Sequence, residues 1–462
     1  MTTYYTAQPP SDDNVVVKEI EKRTNTKLKI TWVSPNSYGD KVNVTMAGGD
    51  IPDLLLVTDT GSSTFLNMAN QGAFWDITDK VKTKDNFNTF PADTWNNIKI
   101  DGKIYGVPRV RPVEGGMIPY VRKDWLDKLG LPFPGTPDEL FNTLMAFKEK
   151  DPGGVGKDNV IPLTGAVAAD NLNQYGWIIN LFTRTNTWKL ADGKLVPDTL
   201  LPEYRDGLLF LNKLFVNKLI PADFAVLKGS QAADLVYQNR AGMHVGTVET
   251  SYGATTEIRK TNPQGEMVPF IPKSPNGQGF TTRDSGSFGM YVIPKKTVSA
   301  DKLEKILDFM NYGSGEEGAT LASYGLKDVH YTEKDGFKVT TEQATKDIVA
   351  AQAFGQIFMK YDKYMRAYRS GMPKETYESN KKVMDEAALV SAPNPAAGLT
   401  SETGLRINAD LNKKLTDLRI QIIMGKKPIE DWDKEVAALK TNADYNKMIA
   451  EINEGYTKRN QK

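Results

Sequence analysis

DGKIYGVPRVRPVEGGMIPYVRKDWLDKLGL, residues 101–131, is the stretch on which the reading of this chain turns. A Gly-Lys turn opens it, and residues 104–107 are apolar enough for a short strand. Pro108, Arg109, Arg111, Pro112, Glu114, Gly115 and Gly116 then form an arginine-rich irregular passage. Residues 117–121 read as a second strand, leading into an amphipathic helix with Trp125, Leu126 and Leu129. The prolines have no N–H for a ladder and the paired glycines tolerate positive φ. The passage is therefore expected to continue neither strand. A strand that leaves one sheet, passes a polar segment and enters another is how a chain changes domain.

Length supports that reading. With 462 residues the chain exceeds one ordinary core, and two domains of roughly 200 residues each are expected. A hydrophobic share of 40% and a charged share of 25% are those of an ordinary globular protein. The net charge of +1, with acids and bases interspersed, offers no footprint for nucleic acid or an anionic membrane. No apolar run approaches the ~20 residues of a membrane helix. Cysteine is absent, which excludes disulfides, thiol catalysis and zinc–thiolate sites. That absence fits an exported bacterial protein and fits many cytosolic ones equally. The start at Met1-Thr2-Thr3, entering a strand at once, reads as an added Met on a mature domain whose signal segment has been removed.

Taken in order, residues 1–7 read as a strand, and a loop from Gln8 to Asp13 follows. Ser11 or Asp12 is expected to cap a helix whose apolar face includes Val16, Val17 and Ile20. A strand over residues 27–33 completes the opening of an α/β layer, in which ligands favour loops at strand C-termini; this makes Gln8 a candidate contact. Gly48-Gly49-Asp50 and Pro52 interrupt a helix before a buried strand over residues 54–57, and Asp59-Thr60 follows it. Thr136 is expected to cap the next helix, with Glu139 in the capping-box position. Residues 151–162 have the outline of a calcium loop, Asp at position one and Gly at position six. Gly153 and Val155 stand at positions three and five and Pro162 at twelve, so Asp151, Asp158 and Asn159 are weak metal candidates and no cofactor is expected. A helix over residues 169–183 carries Asn171, Tyr175 and Trp177, a mix of amide and ring suited to sugar. Ordinary packing explains each of these three equally well. His244 lies in a strand and is expected to be a core histidine.

Several motifs in this order carry a resemblance. Asp50, Pro52 and Asp53 fit a G-D-x-P-D pattern before an apolar strand. Phe309, Asn311, Tyr312, Ser314, Glu316, Glu317 and Gly318 fit "F-x-N-Y … S-x-E-G". Residues 423–425, Pro428, Asp431, Trp432 and Leu439 fit a terminal pair of helices. With the 101–131 passage, these make the chain resemble bacterial extracellular solute-binding proteins, above all the large oligosaccharide-binding lipoproteins of Gram-positive ABC importers. The resemblance implies an α/β, two-lobed periplasmic-binding-protein-like fold, with a hinge of several crossovers and a helical C-terminal extension. Lobe 1 would comprise residues 1–111 plus 270–325, and lobe 2 residues 112–269 plus 326–462. Hinge points would lie at residues 108–116, 268–272 and 324–328, and closure of the lobes on a sugar would be the working motion.

The resemblance also implies ligand contacts from the loops at Asp59-Thr60, Glu249 to Tyr252 and Arg283-Asp284, and from Tyr324, beside Arg109, Arg111 and Glu114. Where sugar binders of the family commonly place a Trp after the second-lobe strand, Val248 stands near it. Some members carry a calcium loop at the position of Asp151. The implied partners are an oligosaccharide and ABC permease subunits. The implied setting is the outer face of the cytoplasmic membrane, reached through a lipid anchor upstream of this chain, and the protein is expected to be a monomer. Arg109 and Arg111 could pair bidentately with a uronate, yet paired arginines at this crossing look common in the family, so neutral and acidic sugars both stay open. A surface glycan-binding adhesin and a carbohydrate-active enzyme are the alternatives. Against the enzyme, the chain lacks a G-x-S-x-G elbow, a P-loop and H-E-x-x-H.

Overall fold

The structure is a computed structural model and describes residues 1–6, 8–334, 336–349 and 354–460. The chain divides into two units, Met1–Pro112 with Ser285–Lys363 and Val113–Asp284 with Tyr364–Lys462.

In the first unit an antiparallel sheet has Ser287–Val292 in the middle, flanked by Leu55–Val57 and Gly106–Val110. Leu55, Leu56 and Val57 are all buried, as their unbroken apolar run requires. Pro108 was expected to end its strand, but it lies inside Gly106–Val110, opposite Met290. That strand is the outer one of its sheet, where one side of the backbone has no ladder partner and a missing N–H costs little. The register slips between Ser287 and Met290. Gly289 takes φ +78° there, and a Cβ on it would stand 2.2 Å from the Val57 carbonyl oxygen, so only glycine fits this bulge.

The first helix, Val15–Thr24, is capped by Asn14, whose Oδ1 accepts the Val16 N–H at 2.9 Å, rather than by Ser11 or Asp12. Its face of Val16, Val17 and Ile20 packs on Leu321, Val349, Phe354 and Phe358. Of the strands expected over residues 1–7 and 27–33, only Thr2–Thr3 and Trp32–Val33 pair, in parallel. Ala7 lies outside the described residues.

The second unit is built on a four-stranded sheet in the order Met267–Pro269, Ile118–Arg122, Ala241–Gly246, Ile161–Leu163, with only the last pair parallel. Trp125 meets Phe147 edge-on at 5.2 Å behind it. Gly242 permits this, because a Cβ there would lie 2.4 Å from Phe147. The helix Pro137–Lys150 starts with the anticipated capping box. The Thr136 side chain accepts the Glu139 N–H at 3.4 Å, and the Glu139 carboxylate accepts the Thr136 N–H at 2.9 Å. The C-terminal helices Glu402–Ile423, Glu430–Thr441 and Ala443–Asn460 belong to this unit, and their Leu415, Leu418, Ile422 and Trp432 join its core.

The chain crosses between units after Pro112, after Asp284 and after Lys363. The first crossing lies where the sequence places it. The second comes later than residue 269, because Met267–Pro269 is itself a strand paired with Ile118–Arg122, and Arg283 N–H still bonds to Ala392 in the same unit. The third comes later than residue 325, because Phe354 and Phe358 complete the core under the first helix. Each such buried ring contributes roughly 1.5–3 kcal/mol, enough to hold the segment to its unit.

Candidate functional site

Strand direction gathers the candidates of the first unit. Leu55–Val57 and Gly106–Val110 both run antiparallel to Ser287–Val292, so their C-terminal ends and the start of the central strand share one edge of the sheet. Asp59 and Thr60 follow one flanking strand; Arg109 lies near the end of the other and Arg111 just past it. Asp59 is exposed, but its carboxylate accepts the Gly61 N–H at 3.2 Å and so shapes the turn. Arg109 is 4% exposed. One terminal nitrogen donates to the Gln356 side-chain oxygen, its Cζ lies 5.0 Å from the centre of the Phe288 ring, and its Nε–H is buried without an acceptor. Arg111 is half-buried and donates to the Met359 sulfur. Gln8 is exposed in the loop after Thr2–Thr3. Tyr324 ends the helix Glu316–Tyr324, its ring 5.8 Å from Tyr331 and with the Lys338 ammonium 5.7 Å over it.

In the second unit four candidates from distant parts of the chain join one network. Glu114 forms an ion pair with Arg283 at 3.2 Å and accepts the Ser391 hydroxyl at 3.2 Å. Arg366 pairs with Asp284 at 2.7 Å and donates to the Glu114 carbonyl at 2.9 Å. The Arg366 carbonyl in turn accepts the Glu249 N–H at 2.9 Å. Gly116 makes room for this, since a Cβ would stand 2.3 Å from the Asp284 carboxylate. The Glu249 carboxylate accepts the Thr247 hydroxyl at 2.8 Å, while its Oε2 is buried without a partner. Burial pushes the Glu249 pKa above the usual carboxylate range, with the Thr247 hydroxyl and the Arg366 and Arg369 charges opposing. Tyr252 donates its hydroxyl to the Gly371 carbonyl at 2.8 Å.

Two expected contacts are corrected by burial. Tyr175 is fully buried, edge-on to Phe224 at 5.6 Å, with its hydroxyl on the Gly165 carbonyl. Trp177, 7% exposed, belongs to the same core, so neither ring has a face to offer a ligand. The helix expected over residues 169–183 is shorter, a turn at Asn173–Tyr175 followed by the helix Gly176–Thr183, and these turn both rings inward. Asn171 is exposed and spends its side-chain oxygen on the Asn173 N–H at 2.7 Å. His244 is a satisfied core histidine, with Nδ1 3.0 Å from the Thr164 carbonyl. Residue-by-residue inspection missed Phe288, Gln356 and Arg366. The glycine bulge after Phe288 was a legible signal for the first; the other two reach the site only through tertiary folding.

The loop at Asp151 does not fit calcium. Both Asp151 carboxylate oxygens accept backbone N–H groups, of Val155 at 3.0 Å and Gly156 at 2.8 Å. The Lys148 ammonium donates to the Lys157 and Val160 carbonyls at 3.0 and 3.2 Å, so a side-chain cation already serves these oxygens. Asp158 and Asn159 are exposed, and among the described residues no group of three or more His, Asp or Glu could hold a metal.

The first unit thus gathers guanidinium groups at a sheet edge, and the second pairs four charged residues of its own. Residues 5–320 match the family described as bacterial extracellular solute-binding protein. The chain belongs to this family. The solute-binding protein is 30% identical to Lipoprotein LipO of Bacillus subtilis (strain 168), over 99% of this chain and 91% of that one. It is 31% identical to the polygalacturonan/rhamnogalacturonan-binding protein YtcQ of the same organism, over 99% and 90%. Among solved structures, an HMO-binding, ABC-transporter-associated solute-binding protein from Bifidobacterium longum infantis superposes with a TM-score of 0.74, covering 98% of each chain at 19% identity, which shows the two-lobed α/β fold. Among the described residues no helix is long and apolar enough to cross a membrane.

Proposed function

We propose that this solute-binding protein captures an extracellular oligosaccharide and delivers it to the permease of an ABC importer, as a monomer held at the cell surface by a lipid anchor. The observation that carries the reading is the sheet edge of the first unit. There the 41%-exposed ring of Phe288 lies against the planar cation of Arg109, with Arg111 just past the end of the same strand. A ring covers the apolar face of a pyranose while charged donors take its hydroxyls. In the second unit, the Glu114–Arg283 and Asp284–Arg366 pairs supply further fixed donors and acceptors. The names of the relatives support a glycan ligand and an ABC system, and the lipoprotein relative supports the anchor. The role is binding, the word that the names of YtcQ and of the HMO-binding protein carry.

A thermal-shift screen against plant, algal and host-glycan oligosaccharides, neutral and acidic, tests the reading. A ligand at a hundred times its Kd adds roughly 2.7 kcal/mol to stability, a rise of several degrees. A saturable rise with one class of sugar is expected. No response to any sugar in the panel would refute it and favour an adhesin with a different ligand.

A further inference from the structure

Resting on that reading, we propose that the oligosaccharide is acidic, and that Arg109, with Arg111 two residues further along, receives the carboxylate of a uronic-acid residue. Three arginines are buried among the described residues: Arg109, Arg122 and Arg419. Arg122 is held by Asp124 through two bonds, at 2.7 and 2.5 Å, and Arg419 feels the charge of Asp198. Arg109 alone has no carboxylate. Its side-chain acceptor is the neutral amide oxygen of Gln356, and its Nε–H has none. Tyr291 and then Tyr5 are the titratable groups that act on its charge, and neither is a carboxylate.

A buried cation without a counter-charge is costly and persists where something else requires it. Arginine cannot discharge itself by losing a proton, so burial lowers its pKa without removing the charge. A carboxylate arriving with the ligand would supply the missing partner in the bidentate geometry that guanidinium favours. Access is short. The group over the guanidinium is the Phe288 ring, which is 41% exposed, and the proposal requires this surface side chain to rotate aside when the carboxylate arrives. With a net charge of only +1, the whole chain exerts little general pull on anions, and selection rests on this local charge.

Titration calorimetry with the full chain tests this. The probes are oligogalacturonates and oligomannuronates, their methyl esters, and neutral galactan and mannan oligosaccharides of matched length. One acidic series is expected to bind at least ~10-fold tighter than its own ester, about 1.4 kcal/mol, with the gap narrowing as salt rises. Arg109→Gln is expected to lose about that factor for the acid while its thermal midpoint stays at or above the wild-type value, because the charge removed is unpaired. Esters or neutral sugars that bind as tightly as acids would overturn the acidic assignment and leave the oligosaccharide reading intact. A midpoint well below wild type would overturn it too, by making Arg109 a structural residue. Silence from acidic, esterified and neutral sugars alike would remove both.

Discussion

Replacing Asp198 by Asn should stabilise the second unit at neutral pH. Asp198 opens the turn before the helix Pro202–Val216, next to Arg419, whose guanidinium lies 5.1 Å from the centre of the Tyr204 ring and 5.4 Å from that of Trp432. The Tyr204 and Trp432 rings stack at 5.1 Å. Burial pushes the Asp198 pKa from 3.8 up to about 6, and the attraction of Arg419 and the Thr199 hydroxyl only partly opposes it. For a carboxyl with a raised pKa the folded state holds the proton longer. The stability that this group contributes is therefore highest below about pH 4 and falls as pH rises to about 6. The full shift corresponds to about 3 kcal/mol; because the residue keeps some exposure, screening trims this to about 2. Asparagine keeps the shape and discards the charge. Calorimetric midpoints of wild type and Asp198→Asn, compared between about pH 4 and 7.5, isolate this group from all others. The variant should gain roughly 3 to 6 °C at the upper end and nothing at the lower. A variant that melts lower at pH 7.5, or a difference that does not change with pH, would refute the reasoning by showing that the Arg419 attraction outweighs burial.

Other consequences follow from single contacts. Thr136→Ala removes half of the capping box and should lower stability by about 1 kcal/mol, read from urea midpoints. Gly242→Ala drives a methyl group into Phe147 and should cost about 1–3 kcal/mol, visible as a lower thermal midpoint. Adding calcium or a chelator should leave the thermal midpoint unchanged, since Lys148 and the loop's own amides already occupy the oxygens a metal would need.

Local rules carried well into this chain. The capping box at Thr136, the apolar strand at Leu55–Val57 and the first crossing near Pro112 were all legible, because each depends on neighbours in sequence. Pro108 misled because its tolerance depends on which strand is outermost, a property of the sheet. Tyr175 and Trp177 misled for a related reason: an aromatic suited to sugar is equally suited to a core, and only packing tells them apart. Gln356 and Arg366 lie some 250 residues from the strand and loop they serve, so no local pattern could mark them. The later crossings escaped because the segment ending at Lys363 is held by Phe354 and Phe358, two rings without a periodic signature.

The most direct measurement is a calorimetric titration of the sugar that raises the thermal midpoint, made with wild type and with the double variant Arg111→Ala, Glu249→Ala. Arg111 follows the strand Gly106–Val110 of the first unit, and the Glu249 N–H bonds to the Arg366 carbonyl within the second. Saturable binding to wild type, weakened at least ~10-fold in a variant that still melts cooperatively, is the predicted result. Identical affinity in both proteins would contradict a part in binding for either residue.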